Sequence, residues 1–302
     1  MNTIERDPAQ LKLALKKAVR FFYDLQRLRL QVSGRLYKRP ANVTIELHPD
    51  DLAVLEKRVA ELEKQEKAAL SDVKSFLAAS KFYVEVLSDK TRYRGVGPTM
   101  AGVILAEFYF DREETASQAW SFAGLCPVAA SRCKVCHHVV QPVEESGQFK
   151  HVGKARGKGC PVAIGQEATY ASGRSMRPEA GTKLPYNAFL KMKLVGVLGP
   201  VMLKVGSPWR KFYDDYKHRK ISAGWGTSDG HRHQAAIRYM IKMLVLDIWR
   251  EWRLFHRMPV RPSYAEDKLG HHHDGGPTAN NRLPEVVQEV APEVEAEVAM
   301  LQ

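Results

Sequence analysis

Four residues between positions 133 and 160 have the chemistry of a metal site. Cys133 and Cys136 stand two residues apart, His151 follows, and Cys160 precedes Pro161. Structural zinc takes four Cys or His ligands in a tetrahedron, commonly with one close cysteine pair. Cys133, Cys136, Cys160 and His151 form the preferred set, with His137 and Cys126 as alternative fourth ligands and a decayed site with free thiols as the competing reading. Zinc would contribute folding free energy directly to residues 128–183, a 56-residue stretch with seven of the 21 glycines and three of the four cysteines.

A second constellation suits an anion. It reads Arg92-Tyr93-Arg94-Gly95-Val96-Gly97-Pro98-Thr99 and runs into an apolar helix, Met100 to Phe108. Two glycines permit a tight bend, and the free N–H groups of a helix start attract negative charge. The spacing predicts a helix-hairpin-helix turn in which amides beside Val96, with Arg92, Arg94, Gly95, Gly97 and Thr99, hold a nucleic-acid phosphate. A plain helix start, with glycines serving only the turn, is the alternative.

Composition supports phosphate partners. The 302 residues carry a net charge of +12, and the segment from Pro277 onward is itself acidic, at −4, leaving +16 on the other 276. Such a bias favours polyanions. No stretch is long and apolar enough for a membrane span or signal peptide, so the expectation is a cytoplasmic protein of bacterial or phage type, without a membrane partner and with reduced cysteines.

The elements that must position these residues are predominantly helical. Asp7-Pro8 opens a first helix to about Arg35, and Pro49-Asp50-Asp51 opens a second. Leu52, Leu55, Val59, Leu62, Ala69 and Val73 follow a seven-residue repeat that Glu66 interrupts. The expected fold is mostly α: a coiled-coil-like helical hairpin over 1–90, serving as an intramolecular arm or a homo-oligomer contact, then a helical domain over 91–257. A Cys-rich loop and β insertion occupies 128–183, and 258–302 reads as a largely disordered tail. Pro208 to Ile221 puts Trp209, Phe212, Tyr213 and Tyr216 on one face, with Arg210, Lys211, Lys217, Arg219 and Lys220 elsewhere. Lys191, Lys193 and Lys204 extend that basic surface, and a last helix runs from about Gly230 to Arg257. His231 and His233 read as solvated or capping residues.

Three blocks resemble the C-terminal domain of the insertion-sequence 110/116/902 transposase family. The first is Arg94-Gly95-Val96-Gly97-Pro98 through Leu105-Ala106-Glu107, followed by Trp120 to Pro127. The second is Ala171-Ser172-Gly173-Arg174, Arg177, Gly181 to Asn187 and Leu190-Lys191. The third is Tyr213 to Lys220 with Ala235 to Lys242. The resemblance implies an all-helical DNA-binding domain for transposition or recombination, with Ser172 as nucleophile and Arg174 and Arg177 holding the phosphate. It also allows a structured guide RNA. Two departures qualify it. No acidic nuclease-like domain is recognisable before residue 90, so Mg²⁺ chemistry would require a separate nuclease subunit. An insertion of about forty residues relative to the family separates Pro127 from Ser172, which leaves Ser131 as a competitor. A non-catalytic, zinc-containing nucleic-acid adaptor is the alternative function.

Overall fold

The computed structural model describes residues 7–37, 47–126, 128–136, 140–142, 149–151, 160, 164–165, 168–174, 184–224 and 228–262. Of the expected tail, 263–302 lies outside these residues, and so does Arg177. The described chain is mostly helical. Its helices are α1 (Pro8–Tyr37), α2 (Pro49–Ala78), α3 (Pro98–Glu107), α4 (Ala116–Phe122), α5 (Ala188–Lys191), α6 (Gly199–Lys204), α7 (Arg210–Ser222) and α8 (Asp229–Phe255). A π-helical stretch, Met192–Leu198, joins α5 to α6 in one continuous helix. Five short strands interrupt the series: β1 (Val128–Cys133), β2 (Val140–Pro142), β3 (Phe149–His151), β4 (Ile164–Gly165) and β5 (Ala168–Arg174). Among the described residues no helix is long and apolar enough to cross a membrane.

α1 and α2 run antiparallel. Gln26 and Arg29 both donate to Glu66, at 3.0 and 2.5 Å, while Val19 and Val73 meet farther down over Gly102. Glu66, the break in the apolar repeat, is thus the acceptor for two donors across the seam, and a buried polar group of this kind selects one register. Burial is deep only near the body. Leu28, Leu30, Val54 and Leu55, in the distal half, remain 43–61% exposed.

α3 is the spine of the core. Every residue from Met100 to Glu107 is buried, which explains why its sequence lacks a polar face. Gly102 allows the close approach of α1 and α2: a Cβ there would stand 3.0 Å from Val73 and 3.1 Å from Val19. One apolar cluster runs from Leu15 through α3 to Trp249, so the expected boundary at residue 90 does not separate two cores. The Cys-rich segment does form a small cluster of its own around Cys133, Val140 and Cys160.

α8 closes the other side, and indoles fasten it. Trp249 donates to the Glu113 carbonyl at 2.7 Å, Trp252 to Asp111 at 2.8 Å, and Trp120 to the Lys242 carbonyl at 2.8 Å. His233, expected to be solvated, instead pairs its Nδ1 with the Tyr213 hydroxyl at 2.6 Å.

Glu113 titrates near neutrality. It is buried, its Oε2 has no hydrogen-bond partner among the described residues, and burial pushes its carboxyl up to about 7. A carboxyl raised on folding stabilises the fold below its unfolded pKa, and that stability is lost as pH rises through the folded value. Glu113→Gln should therefore be more stable than the parent at pH 8, by up to about 3 kcal/mol, and equal to it near pH 4. Urea denaturation at the two pH values checks this.

Candidate functional site

The cysteine pair lies where a strand ends. Cys133 is the last residue of β1, and Lys134 to Cys136 form the following turn. β2, β3 and β4 make a second small antiparallel sheet, with His151 at the end of β3. The ligand atoms of Cys133, Cys136, His151 and Cys160 all lie within 4.8 Å of one another. The shortest edges are Cys136 Sγ to His151 Nε2 at 3.6 Å, with Cys133 Sγ to Cys160 Sγ and Cys160 Sγ to His151 Nε2 at 3.9 Å each. A tetrahedron with metal–sulfur bonds of about 2.3 Å and a metal–nitrogen bond of about 2.0 Å has edges of roughly 3.5–3.8 Å. The four residues can therefore hold a metal ion, and His151 completes the set. His137 lies outside the described residues. Cys126 is placed elsewhere, with its thiol pushed up by burial and Lys242 opposing. His151 Nδ1 is buried without a partner among the described residues.

The four candidate ligands follow from a two-stranded ribbon. β1 and β5 pair antiparallel from Cys133 opposite Ala168 to Val128 opposite Arg174. The chain after Cys133 thus returns at Ala168 beside its point of departure, and Ser172 comes back beside the chain that follows α4. The pairing is irregular between Val128 and Ala130. There, Ser172 and Gly173 span the interval that Ala129 spans alone, the arrangement of a β-bulge. Ser131, the competing serine, faces Tyr170 in the same ribbon and is buried. The side chains of Ser172 and Arg174 lie outside the described residues.

The glycine turn differs from expectation. The amides beside Val96 are used internally: Val96 N–H donates to the Tyr93 carbonyl at 2.9 Å and Gly97 N–H to the Gly95 carbonyl at 3.2 Å. They form no outward cradle. Gly95 is required for another reason. Its φ is +100°, and a Cβ there would lie 3.2 Å from the Met202 backbone. Gly97 is exposed and extended at the start of α3, Thr99 is half-buried, and Arg94 is exposed.

Arg92 is likewise committed elsewhere. Its guanidinium binds both Asp247 oxygens, at 3.1 and 2.5 Å, and Glu251 at 2.7 Å. Tyr93 donates to Asp247 at 2.8 Å, and the Trp209 indole donates to the Arg92 carbonyl at 2.9 Å. Arg92 therefore fastens the turn to α8 instead of presenting its charge to a phosphate. Burial pushes the Asp247 carboxyl up, and Arg92 opposes it.

On α7 the expected cations divide. Arg210 pairs with Asp214 at 3.2 Å and Lys217 with Asp229 at 3.3 Å. Lys211 and Arg219 are exposed. The Arg219 guanidinium lies 5.8 and 5.7 Å from the centroids of Tyr216 and Tyr239, and Lys220 Nζ lies 5.3 Å from Tyr216.

A cationic strip continues from α7 toward the ribbon. Lys191 Nζ sits 4.4 Å from the Tyr186 ring, against the turn after α4, and Lys242 Nζ sits 4.4 Å from the Trp120 ring. Arg238 stands between them and the stacked pair Tyr216 and Tyr239. Burial lowers the pKa of all three cations, and Arg238 lowers that of Lys191 further. Among the described residues none of Lys191, Arg238 and Lys242 pairs with a carboxylate. Sequence reasoning chose Lys191 and Arg219 but missed Arg238 and Lys242. Their i, i+4 spacing on the last helix was the available signal.

Compared with known proteins, the chain matches no family model, no curated protein and no solved structure.

Two outcomes follow from the geometry. Protein purified without chelator should carry about one equivalent of metal by mass spectrometry, and Cys160→Ala less than about 0.3, because a structural site of this kind binds tightly only when complete. Arg92→Met should lower stability in urea by about 3 kcal/mol, as Asp247 loses its buried partner.

Proposed function

We propose that this protein is a transposase-like nucleic-acid-binding protein that takes part in DNA transposition or recombination. In this reading it holds the phosphate backbone on Lys191, Arg238 and Lys242, beside a zinc-clipped ribbon that carries Ser172. The observation that carries the reading is the strip itself: three partly buried cations without a carboxylate among the described residues, of which Lys191 and Lys242 each lie against an aromatic ring. Buried charge without a counter-charge is costly. A polyanion supplies the counter-charge and releases its condensed ions in doing so. Neighbouring aromatic faces add stacking for unpaired bases.

Other expectations take their place around that strip. Lys211, Arg219 and Lys220 extend it along α7. The turn at 95–97 contributes a helix start with Arg94 and Thr99, a reduced form of the helix-hairpin-helix reading. Zinc is the ion that suits three thiolates and one imidazole in a closed tetrahedral site. The exposed apolar residues of the distal hairpin provide a contact between copies. Under the transposase resemblance, the Ser172 hydroxyl attacks a DNA phosphorus and forms a phosphoserine ester as one sugar P–O bond breaks and the departing oxygen takes up the proton; Arg174 and Arg177 hold the phosphate, and a separate nuclease subunit brings the Mg²⁺ chemistry. A structured guide RNA is a second polyanion that the same strip accommodates.

Fluorescence anisotropy with a labelled DNA duplex and an RNA hairpin tests the reading. Affinity should fall steeply with salt. The double variant Arg238→Gln, Lys242→Gln should bind at least about tenfold more weakly, with a salt slope reduced by about 2. Binding indifferent to salt, or equal affinity in the variant, overturns the reading. Ser172→Ala should keep binding and lose strand transfer; transfer at the parent rate removes the serine from the mechanism and leaves a non-catalytic zinc adaptor.

A further inference from the structure

A groove of about 700 Å³ lies on the other side of the helix that begins at Ala188, between that helix and α1. Arg20, Tyr23, Arg27, Arg35, Phe189 and Lys193 contribute to its walls. Lys193 is the unusual member. It is only 8% exposed, its Nζ sits 3.2 Å from the centroid of the Tyr23 ring and 5.5 Å from that of Phe189, and among the described residues it pairs with no carboxylate. The nearby acids are engaged elsewhere. Glu107 is held by Arg20 at 2.7 Å and by Asn187 at 2.7 Å, and Asp24 pairs with Arg27 at 2.8 Å. Lys193 sits in the π-helical stretch, a local widening that is frequent at functional sites.

An ammonium without a counter-charge, set into an aromatic wall beside a guanidinium, is a receptor for an anion. Attraction to ring faces offsets part of its lost hydration, and an incoming anion supplies the rest. Burial and the neighbouring Arg20 both hold the Lys193 pKa below its ordinary value, a pressure that a bound anion relieves. The cations also have a direction. Arg20, Arg27 and Arg35 recur at seven- and eight-residue intervals on α1, so they lie along one side of the helix over roughly 22 Å at 1.5 Å per residue. A run of that length suits several phosphates in series better than one carboxylate.

We propose that this groove is a phosphate-binding site, with Lys193 receiving one phosphate group; Arg20 and Arg27, which also pair with Glu107 and Asp24, and Arg35 continue the cationic track onto the helical arm. It is separate from the strip at Lys191, Arg238 and Lys242. Where its phosphates belong to a polynucleotide, the inference rests on the nucleic-acid reading above. Where they come from free pyrophosphate or a nucleotide, it stands alone.

The experiment uses the full-length protein and two probes, inorganic pyrophosphate and the labelled duplex, measured by calorimetry and by anisotropy. Lys193→Gln should reduce affinity for at least one probe about tenfold, the equivalent of one lost charge contact, and Lys193→Arg should restore most of it. Loss for the duplex alone assigns the groove to a polynucleotide backbone, and loss for pyrophosphate, with or without the duplex, to a general phosphate site. Unchanged affinity for both probes overturns the proposal. Failure of the nucleic-acid reading is separable, because it abolishes duplex binding in the parent protein while the pyrophosphate measurement still decides the groove. If Lys193→Gln does not fold, acetylation of Lys193 in the parent protein, followed by mass spectrometry, takes its place. Pyrophosphate or duplex should slow the reaction in proportion to occupancy, and an equal rate with and without both probes overturns the site.

Discussion

Glu107 is the carboxylate on which the arrangement depends. It is almost fully buried at the end of α3, accepts from Arg20 at 2.7–2.8 Å and from Asn187 at 2.7 Å, and has Lys16 at 3.7 Å. Asn187 in turn caps the helix that begins at Ala188, through Leu190 N–H at 3.0 Å, and its own N–H reaches the Phe122 carbonyl at 2.8 Å. One buried acid therefore joins α1, α3, the end of α4 and the start of α5. An acid in such a place is tolerable only when its partners are fixed, because removal of either side leaves an uncompensated charge. Arg20 and the helix carrying Lys191 and Lys193 owe their positions to this network.

The glycines around α3 show how backbone proximity replaces chemistry that their spacing first implied. Gly95 and Gly102 are both places where another element comes within contact distance, Met202 in the first case and Val73 with Val19 in the second. The turn before α3 serves assembly, with Arg92 and Tyr93 gathered on Asp247 of α8 and Trp209 donating to the chain between them. Cations without a carboxylate partner among the described residues lie instead on the two sides of the helix that begins at Ala188.

The starts of α1, α2, α3, α7 and α8 were legible in the sequence to within about two residues, which is the ordinary uncertainty of helix ends, whereas the end of α2 at Ala78 was not. Pro8, Pro49 and Pro98 mark helix starts, and apolar periodicity marks the faces that α1, α2 and α8 bury. The metal ligands were legible because close cysteine spacing has few other uses. Charge function was not. Arg92 looks like any solvent-facing arginine beside a glycine turn, and only the fold brings Asp247, 155 positions later, against it. Lys193, Arg238 and Lys242 sit in mainly apolar helical sequence, and spacing alone does not reveal which cations are buried without a counter-charge. Glu107 and Asn187 were quoted in separate blocks of the transposase resemblance, and the fold joins them by a direct hydrogen bond.

The ribbon has one more implication. Because Cys133 and Ala168 are partners across a single pair of strands, the chain between them departs and returns at neighbouring points. Its own small cluster is distinct from the main one. A change of length between those two points can accordingly leave the pairing of β1 with β5 intact.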